Sequence, residues 1–349
     1  MHLYNSVSRI EIESNTFDRV AWLDVARAIG IYAIYLGHFG ETAGPAYRFV
    51  FQFHVPLFFF LSGCAETYNK EETVFGNLKR NVKTILLPAY FFAIISLMIY
   101  VINANADLTE VRIWGQLIIK GLIRNTYLAA SLWFLTCLFT VKSIFVLLKK
   151  MKKWYWLVAA GIFLFLLAEY GMSPRPIDSP RYYYNLDSAC YYMHFYIIGF
   201  LAYPHLKEWL EKTGNIAKSV KTVIAVGLLV YAGLMYFQIN VLSYMPIHNM
   251  IADSGLRLLK TYLMIGAIIM LAYYLQEVEV LAKVGQDTLY LCGSEYITKI
   301  IVPSICGIVG LTMNLDGPLY VCIYTIMLLW FGEKVVIPWE KTIIAKMRR

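Results

Sequence analysis

Apolar segments of membrane-spanning length recur along the whole chain and are separated by short polar stretches. An α-helix needs about 20 predominantly apolar residues to cross a bilayer core, and ten segments of that order are found here. We therefore predict an all-α integral membrane protein, a polytopic bundle of about ten transmembrane helices. The predicted spans cover residues 22–40, 49–65, 85–102, 131–148, 154–170, 188–203, 222–239, 257–275, 288–306 and 318–333.

The distribution of lysine and arginine predicts the orientation of these spans. With both termini in the cytoplasm, the inside segments carry 20 of the 31 Lys and Arg residues, the outside segments 8 and the spans 3. Because positive residues are enriched in the cytoplasmic loops of membrane proteins, this count favours two cytoplasmic termini. Residues 1–21 then form a cytoplasmic N-terminal segment, and residues 334–349 form a basic cytoplasmic tail.

The composition is typical of one membrane domain. Of the 349 residues 59% are hydrophobic and 15% charged, and no polar linker or internal repeat divides the chain. We expect a single domain over residues 1–349, with the first span retained because no cleavable signal sequence precedes it. The topology accounts for the net charge of +8, which argues against nucleic-acid binding. The six cysteines show no C-x-x-C spacing, which argues against a metal cluster or a disulfide framework.

Two ionisable residues share one face of the first predicted span. Arg27 and His38 are eleven residues apart, so on an α-helix they lie within roughly 20° of each other and about 16 Å apart along the axis. Ionisable groups inside a membrane span are costly and indicate a functional site by default. Two simpler interpretations stay open: Arg27 pairs with Asp24 at the membrane interface, and His38 is a hydrated residue at the helix end.

An arginine, ten intervening residues and a histidine form the most specific motif of the chain, and five further stretches accompany it. The motif and these stretches lie at residues 19–38, 51–63, 78–90, 131–139, 196–200 and 285–291. Together they resemble the acyltransferase family 3 of integral-membrane O-acyltransferases, for which the arginine–histidine spacing is the hallmark. The resemblance extends over most of the chain, and its motifs are most specific before residue 140.

The resemblance implies transfer of an acyl group, most commonly acetyl, from an acyl-coenzyme A to a hydroxyl of a cell-surface or exported polysaccharide or glycolipid. His38 would be the general base, because histidine has the unperturbed pKa nearest working pH. Asp24 would orient Arg27, and His54 is a further candidate for the catalytic site. A direct transfer and a relay through a transient acyl-enzyme both fit these residues.

Coenzyme A carries several phosphate charges, and the chain offers cations where it would dock. Arg27 near the inner end of the first span, with the basic residues Lys79, Arg80 and Lys83, would attract the donor from the cytoplasm. We therefore expect acetyl-CoA as the donor and no metal cofactor.

Two positions depart from the family pattern. Many members carry a histidine in the segment after the glycine matched by Gly285, and this chain has Glu295 nearby instead, for which we expect a related, substrate-binding role. Lys83 stands where the family commonly has a second arginine. A lysine can attract a phosphate by its charge but cannot form the bidentate hydrogen bonds of a guanidinium. Tyr90 and Trp133 are additional substrate-binding candidates, with simple packing or an aromatic belt as the alternative.

A transporter that exports a glycan or an anionic substrate is the alternative function, because a basic inner patch and a polar helix face could also guide such a substrate. No paired helix interruptions of an inverted repeat support it. The expected partners are membrane lipid, acyl-CoA and a glycan or glycolipid acceptor, and the sequence leaves a homo-oligomer open. We expect a multi-pass protein of the inner (plasma) membrane.

Overall fold

Helices form almost all of the computed structural model, and no strand occurs among the residues that it describes. These are residues 19–71, 73–103, 132–151, 153–172, 182–239, 249–310, 315 and 317–348. Residues 1–18 of the predicted cytoplasmic segment, residue 131 of the fourth predicted span and residue 349 of the tail lie outside them.

A helix overlaps each of the ten predicted spans, and shorter helices lie between them. In chain order the helices are α1 Ala21–Gly37, α2 Pro45–Val50, α3 His54–Glu66, α4 Val74–Asn81, α5 Leu87–Asn103, α6 Leu132–Leu148, α7 Trp154–Leu166, α8 Leu186–Glu211, α9 Asn215–Tyr236, α10 Met250–Tyr274, α11 Glu279–Gln286, α12 Thr288–Ile308, α13 Pro318–Phe331 and α14 Ile337–Arg348. Single π-helical turns at Val82–Leu86, Leu167–Met172 and Gly332–Val336 extend α4, α7 and α13.

Six helical segments in the described part of the chain are long and apolar enough to cross a membrane. They are Pro45–Glu66, Trp154–Met172, Asn215–Tyr236, Met250–Tyr274, Thr288–Ile308 and Pro318–Met347. The prediction of a multi-pass helical membrane protein is therefore confirmed. The total of ten spans and the cytoplasmic position of both termini stay predictions.

Cysteine labelling tests the predicted orientation. We expect a cysteine introduced by Asp178→Cys to react with a membrane-impermeant maleimide on intact cells, because residue 178 falls in a predicted outer loop. A cysteine introduced by Met151→Cys should react only after permeabilisation. The six native cysteines set the background, which is measured on the unchanged protein. The reverse pattern would overturn the predicted topology.

The helix α1 lies at the centre of the bundle. Of its 17 residues 13 are buried, and it contacts α3, α10, α11, α12 and α13. Most of α1 is thus covered by other helices. Its Asp24 is buried at 4% exposure, and ionisable groups that face the interior of a membrane bundle commonly carry function.

Two glycines allow α3 and α8 to pack closely against each other. A Cβ atom on Gly63 would overlap the Tyr196 carbonyl oxygen, and one on Gly199 would overlap the Phe60 carbonyl oxygen. Small residues of this kind let backbones approach in membrane bundles. This contact fixes the position of the C-terminal end of α3, which carries Glu66.

Candidate functional site

His38 ends α1 and forms a short hydrogen bond with a carboxylate from a distant helix. Its Nδ1 lies 2.6 Å from Oε1 of Glu295 on α12. Glu295 is buried, at 4% exposure, whereas 22% of the His38 side chain remains exposed. The histidine can therefore be reached from outside the protein core, while its orienting partner cannot.

A lysine one turn further along α12 holds Glu295 in place. The Nζ of Lys299 donates to the same Oε1 at 2.7 Å and to the Tyr35 carbonyl oxygen at 3.2 Å. It also lies 4.4 Å from the ring centroid of Phe39, within cation–π range. Sequence reasoning left Lys299 unplaced, although a Glu–Lys pair four residues apart on a helix is the spacing at which such side chains meet.

This arrangement favours one tautomer of His38. The ammonium of Lys299 stabilises an ionised Glu295, and an ionised carboxylate can only accept hydrogen bonds. We therefore assign the proton to Nδ1, which leaves Nε2 as the lone-pair nitrogen. A histidine oriented in this way through its Nδ1 can remove a proton from a hydroxyl at Nε2.

The other end of α1 carries an arginine cleft. Arg27 donates from Nη1 to Oδ1 of Asp24 at 2.6 Å, which confirms that the two residues pair. The guanidinium also borders a cavity of about 320 Å³, whose lining residues are Arg19, Val20, Leu23, Asp24, Arg27, Ala65 and Tyr68. We call this cavity the arginine cleft. Two arginines against one aspartate make its lining a favourable environment for an anion.

Arg27 and His38 lie at opposite ends of one continuous helix. Eleven residues at 1.5 Å each separate them by about 16 Å, as the spacing predicted. Ile31 and Ile34 occupy the same face between them and are buried, at 0% and 5% exposure. The two polar groups therefore belong to two separate parts of a site, with packed apolar side chains between them in this conformation.

Gly285 fixes the arginine end of α1 against α11. A Cβ atom at this position would overlap the Asp24 carbonyl oxygen, which is backbone and cannot move aside. We expect Gly285→Ala to destabilise the protein by about 1–3 kcal/mol, as overpacking usually does. Thermal unfolding of the detergent-solubilised protein measures this. Gly227→Ala on α9 is the matched control, since nothing lies within 4 Å of its added Cβ, and it should not lower stability.

The three predicted basic residues of the inner patch separate in the structure. Lys79 and Lys83 are exposed, on α4 and in the π-helical turn that follows it. Arg80 turns inward, donates to Asn69 and to Asn77, the latter at 3.2 Å, and approaches the buried carboxylate of Glu66. Arg80 thus belongs to a polar cluster that the sequence did not predict.

A family model described as an acyltransferase domain matches residues 20–291, more than three quarters of the chain. The chain belongs to the acyltransferase family 3. No curated protein and no solved structure matches it. Asp24, Arg27, His38 and His54 of this membrane acyltransferase lie within the matched range, whereas Glu295 lies just beyond it.

His54, the further candidate for the catalytic site of this acyltransferase, lies close to the His38 end of α1. His54 begins α3, is buried, and donates from Nδ1 to the Val50 carbonyl oxygen at 2.7 Å. Its imidazole lies within electrostatic range of His38 and Glu295, which places it at the same end of α1 as the candidate base.

Two aromatic candidates contact other aromatic residues. The hydroxyl of Tyr90 lies 2.8 Å from that of Tyr184, and the Trp133 ring packs at 6.2 Å from the Tyr192 ring. Tyr184 has a positive φ of 53°, a strained conformation for a bulky residue. Such strain persists only where surrounding contacts support it, and here Thr140 donates to the Tyr184 carbonyl oxygen at 2.9 Å.

Proposed function

We propose that this membrane acyltransferase transfers an acyl group, most commonly acetyl, from acyl-CoA to a hydroxyl of a cell-surface or exported polysaccharide or glycolipid. The observation that carries the proposal is the 2.6 Å contact between His38 Nδ1 and the buried Glu295 carboxylate. It is the geometry that a general base requires, and acyl transfer to a hydroxyl requires such a base.

The proposed chemical step uses the free nitrogen of His38. Nε2 accepts the proton of the acceptor hydroxyl as its oxygen attacks the thioester carbonyl carbon. A new C–O bond forms, the C–S bond breaks, and the proton passes to the departing thiolate, so the products are an ester and free coenzyme A. Glu295 stabilises the imidazolium that forms in between, as the third member of a hydroxyl–histidine–carboxylate arrangement does. Its proposed role is therefore to position His38 rather than to bind the substrate directly.

The donor would bind at the arginine cleft. Arg19 and Arg27 supply a cationic lining for the phosphates, and the exposed Lys79 and Lys83 would raise the local concentration of an anionic donor. The long pantetheine arm would run along α1 toward His38, past Ile31 and Ile34. Movement of the helices that cover this face is then part of the catalytic cycle.

The acceptor would approach His38 from the opposite end of α1. Tyr90 and Trp133, with their tyrosine neighbours, offer stacking surfaces that suit sugar rings. We place the enzyme in the inner (plasma) membrane, as one domain with both termini in the cytoplasm, surrounded by membrane lipid.

Incubation of the purified, detergent-solubilised protein with radiolabelled acetyl-CoA tests this function. We expect saturable donor binding and a slow release of free coenzyme A in the absence of an acceptor, with water replacing the hydroxyl. A folded preparation that neither binds nor cleaves acetyl-CoA would contradict the proposal and favour the transporter function.

A further inference from the structure

An apolar groove runs between α7, α8 and α10. Its cavity has a volume of about 340 Å³, and apolar side chains such as Val158, Ile162 and Phe165 of α7 and Leu258 of α10 line it. Both α7 and α10 belong to segments that are long and apolar enough to cross a membrane. Because Ile162 is 53% exposed in such a segment, the groove opens toward lipid. We call it the lateral groove.

One buried histidine in the wall of the lateral groove lacks a hydrogen-bond partner. His194 of α8 is 7% exposed, and its Nδ1 lies 2.8 Å from the hydroxyl of Tyr262, which lines the groove as well. Its Nε2 has no hydrogen-bond partner among the residues that the structure describes. Since a buried nitrogen without a partner costs free energy, a ligand of the groove that offers a polar group at this depth would be favoured.

A polar group closes one end of the lateral groove. Glu169 follows Phe165 by four residues, and Ser254 precedes Leu258 by four residues, so each continues a helix face that lines the groove. Nη2 of Arg257 donates to the Glu169 carboxylate and, at 3.0 Å, to the Ser254 hydroxyl. We call Glu169, Ser254 and Arg257 the polar cap.

The polar cap carries one positive and one negative charge. Of the Arg257 side chain 55% is exposed, and of the Glu169 side chain 16%. Both residues lie near the ends of the membrane-crossing segments Trp154–Met172 and Met250–Tyr274, where lipid head groups are found. A head group with a phosphate and a neighbouring ammonium complements this pair, because each of its charges meets the opposite charge.

We propose that the lateral groove and the polar cap bind one zwitterionic glycerophospholipid of the surrounding membrane. Arg257 donates to the lipid phosphate, Glu169 accepts from its ammonium, and one acyl chain fills the groove. The Tyr262 hydroxyl donates to Nδ1 of His194, so Nε2 carries the hydrogen and donates to an ester carbonyl of the lipid. This proposal does not depend on the proposed function.

The spacing along α7 suits such a lipid. The ring centroids of Phe165 and His194 are 5.2 Å apart, and four residues separate Phe165 from Glu169, about 6 Å along a helix. The ester carbonyls of a glycerophospholipid lie one glycerol unit from its phosphate, a length of the same order. From Phe165 to Val158 the groove offers the acyl chain about 10 Å of apolar wall. Nε2 is covered in this conformation, and side chains along the groove move apart as the lipid enters.

Titration of the full-length, detergent-solubilised protein with lipids tests the site. Native mass spectrometry measures the binding of phosphatidylethanolamine, of its ether-linked analogue, which lacks the ester carbonyls, and of phosphatidylglycerol, which lacks the ammonium. We expect the wild type to bind one phosphatidylethanolamine and to prefer it about three- to tenfold over either of the other lipids, the value of one hydrogen bond or exposed ionic contact.

His194→Phe separates the proposed hydrogen bond from simple packing. The phenylalanine keeps an aromatic ring in the wall but has no donor, so this variant should bind the ester- and ether-linked lipids alike. A purely structural role of His194 would not change that ratio. Arg257→Gln should weaken phosphatidylethanolamine binding severalfold and keep the preference for the ester, whereas Arg48→Gln, at an exposed arginine of α2, should bind as the wild type does.

Filling the groove tests the position of the acyl chain. Ile162→Trp places a larger side chain in the groove and should weaken the binding of all three lipids about tenfold. Its matched control is Phe163→Trp, because Phe163 is the neighbouring residue, is 63% exposed and does not line the groove. The control should keep the wild-type affinity.

Three results would each overturn the proposed site and leave the proposed acyl transfer untouched. The first is a wild type that binds the ester- and ether-linked lipids equally, which removes His194 from the site. The second is a wild type that binds phosphatidylglycerol as well as or better than phosphatidylethanolamine. The third is an Ile162→Trp protein that keeps full affinity, since the acyl chain would then lie elsewhere. None of the three requires that His194→Phe folds.

Discussion

Replacing His38 by alanine is expected to lower acyl transfer by about 10²- to 10⁴-fold, the range that a positioned general base contributes. Binding of acetyl-CoA should be unchanged, because the arginine cleft lies at the other end of α1. Release of coenzyme A from radiolabelled acetyl-CoA measures the rate, and a filter assay on the same preparation measures donor binding.

The matched control for this substitution is His205→Ala. His205 is an exposed histidine of α8, and its removal should leave the rate at the wild-type level. A His38→Ala protein that is present in the membrane in normal amount and transfers acetyl at the wild-type rate would remove His38 from the mechanism.

Replacing Arg27 by alanine should weaken acetyl-CoA binding by about ten- to a hundredfold, because a charge-assisted contact with a phosphate contributes about 1.5–3 kcal/mol. The loss should be smaller at high salt, where ionic contacts of the wild type are screened. Equilibrium binding of the radiolabelled donor at two salt concentrations measures both effects.

Arg27→Ala also leaves Asp24 without its partner, and Asp24 is buried at 4% exposure. Arg27→Lys keeps the charge opposite Asp24 and separates the two consequences. The lysine cannot form the bidentate contact of a guanidinium, so donor affinity should fall while the protein remains folded. Arg48→Ala, at an exposed arginine of α2, is the control. Full donor affinity in Arg27→Lys and Arg27→Ala alike would exclude the cleft as the donor site.

The sequence predicted those parts of the site that lie close together along the chain. Arg27 and His38 on one face of α1, and the pairing of Arg27 with Asp24, follow from helical periodicity within a single apolar segment. The helical positions could be predicted for the same reason, since each span is a continuous run of apolar residues.

The contacts across the bundle could not be predicted in this way. Glu295 was noted as a departure from the family pattern, but its contact with His38 joins residues 257 positions apart. Glu66 of α3 accepts hydrogen bonds from Lys142 of α6 and Tyr196 of α8, and no periodicity relates positions on different helices. The central position of α1 depends on which helices surround it, and the composition of a single span is the same whether lipid or protein covers it.

A double-substitution experiment tests most directly the central claim that Glu295 acts through His38. Acetyl-CoA turnover is measured for the wild type, His38→Ala, Glu295→Gln and the double variant, each normalised to folded protein. Residues that act as one unit are not additive, so the double variant should be no slower than His38→Ala alone. If instead the two losses multiply, Glu295 contributes independently of His38, and the proposed histidine–carboxylate base is wrong.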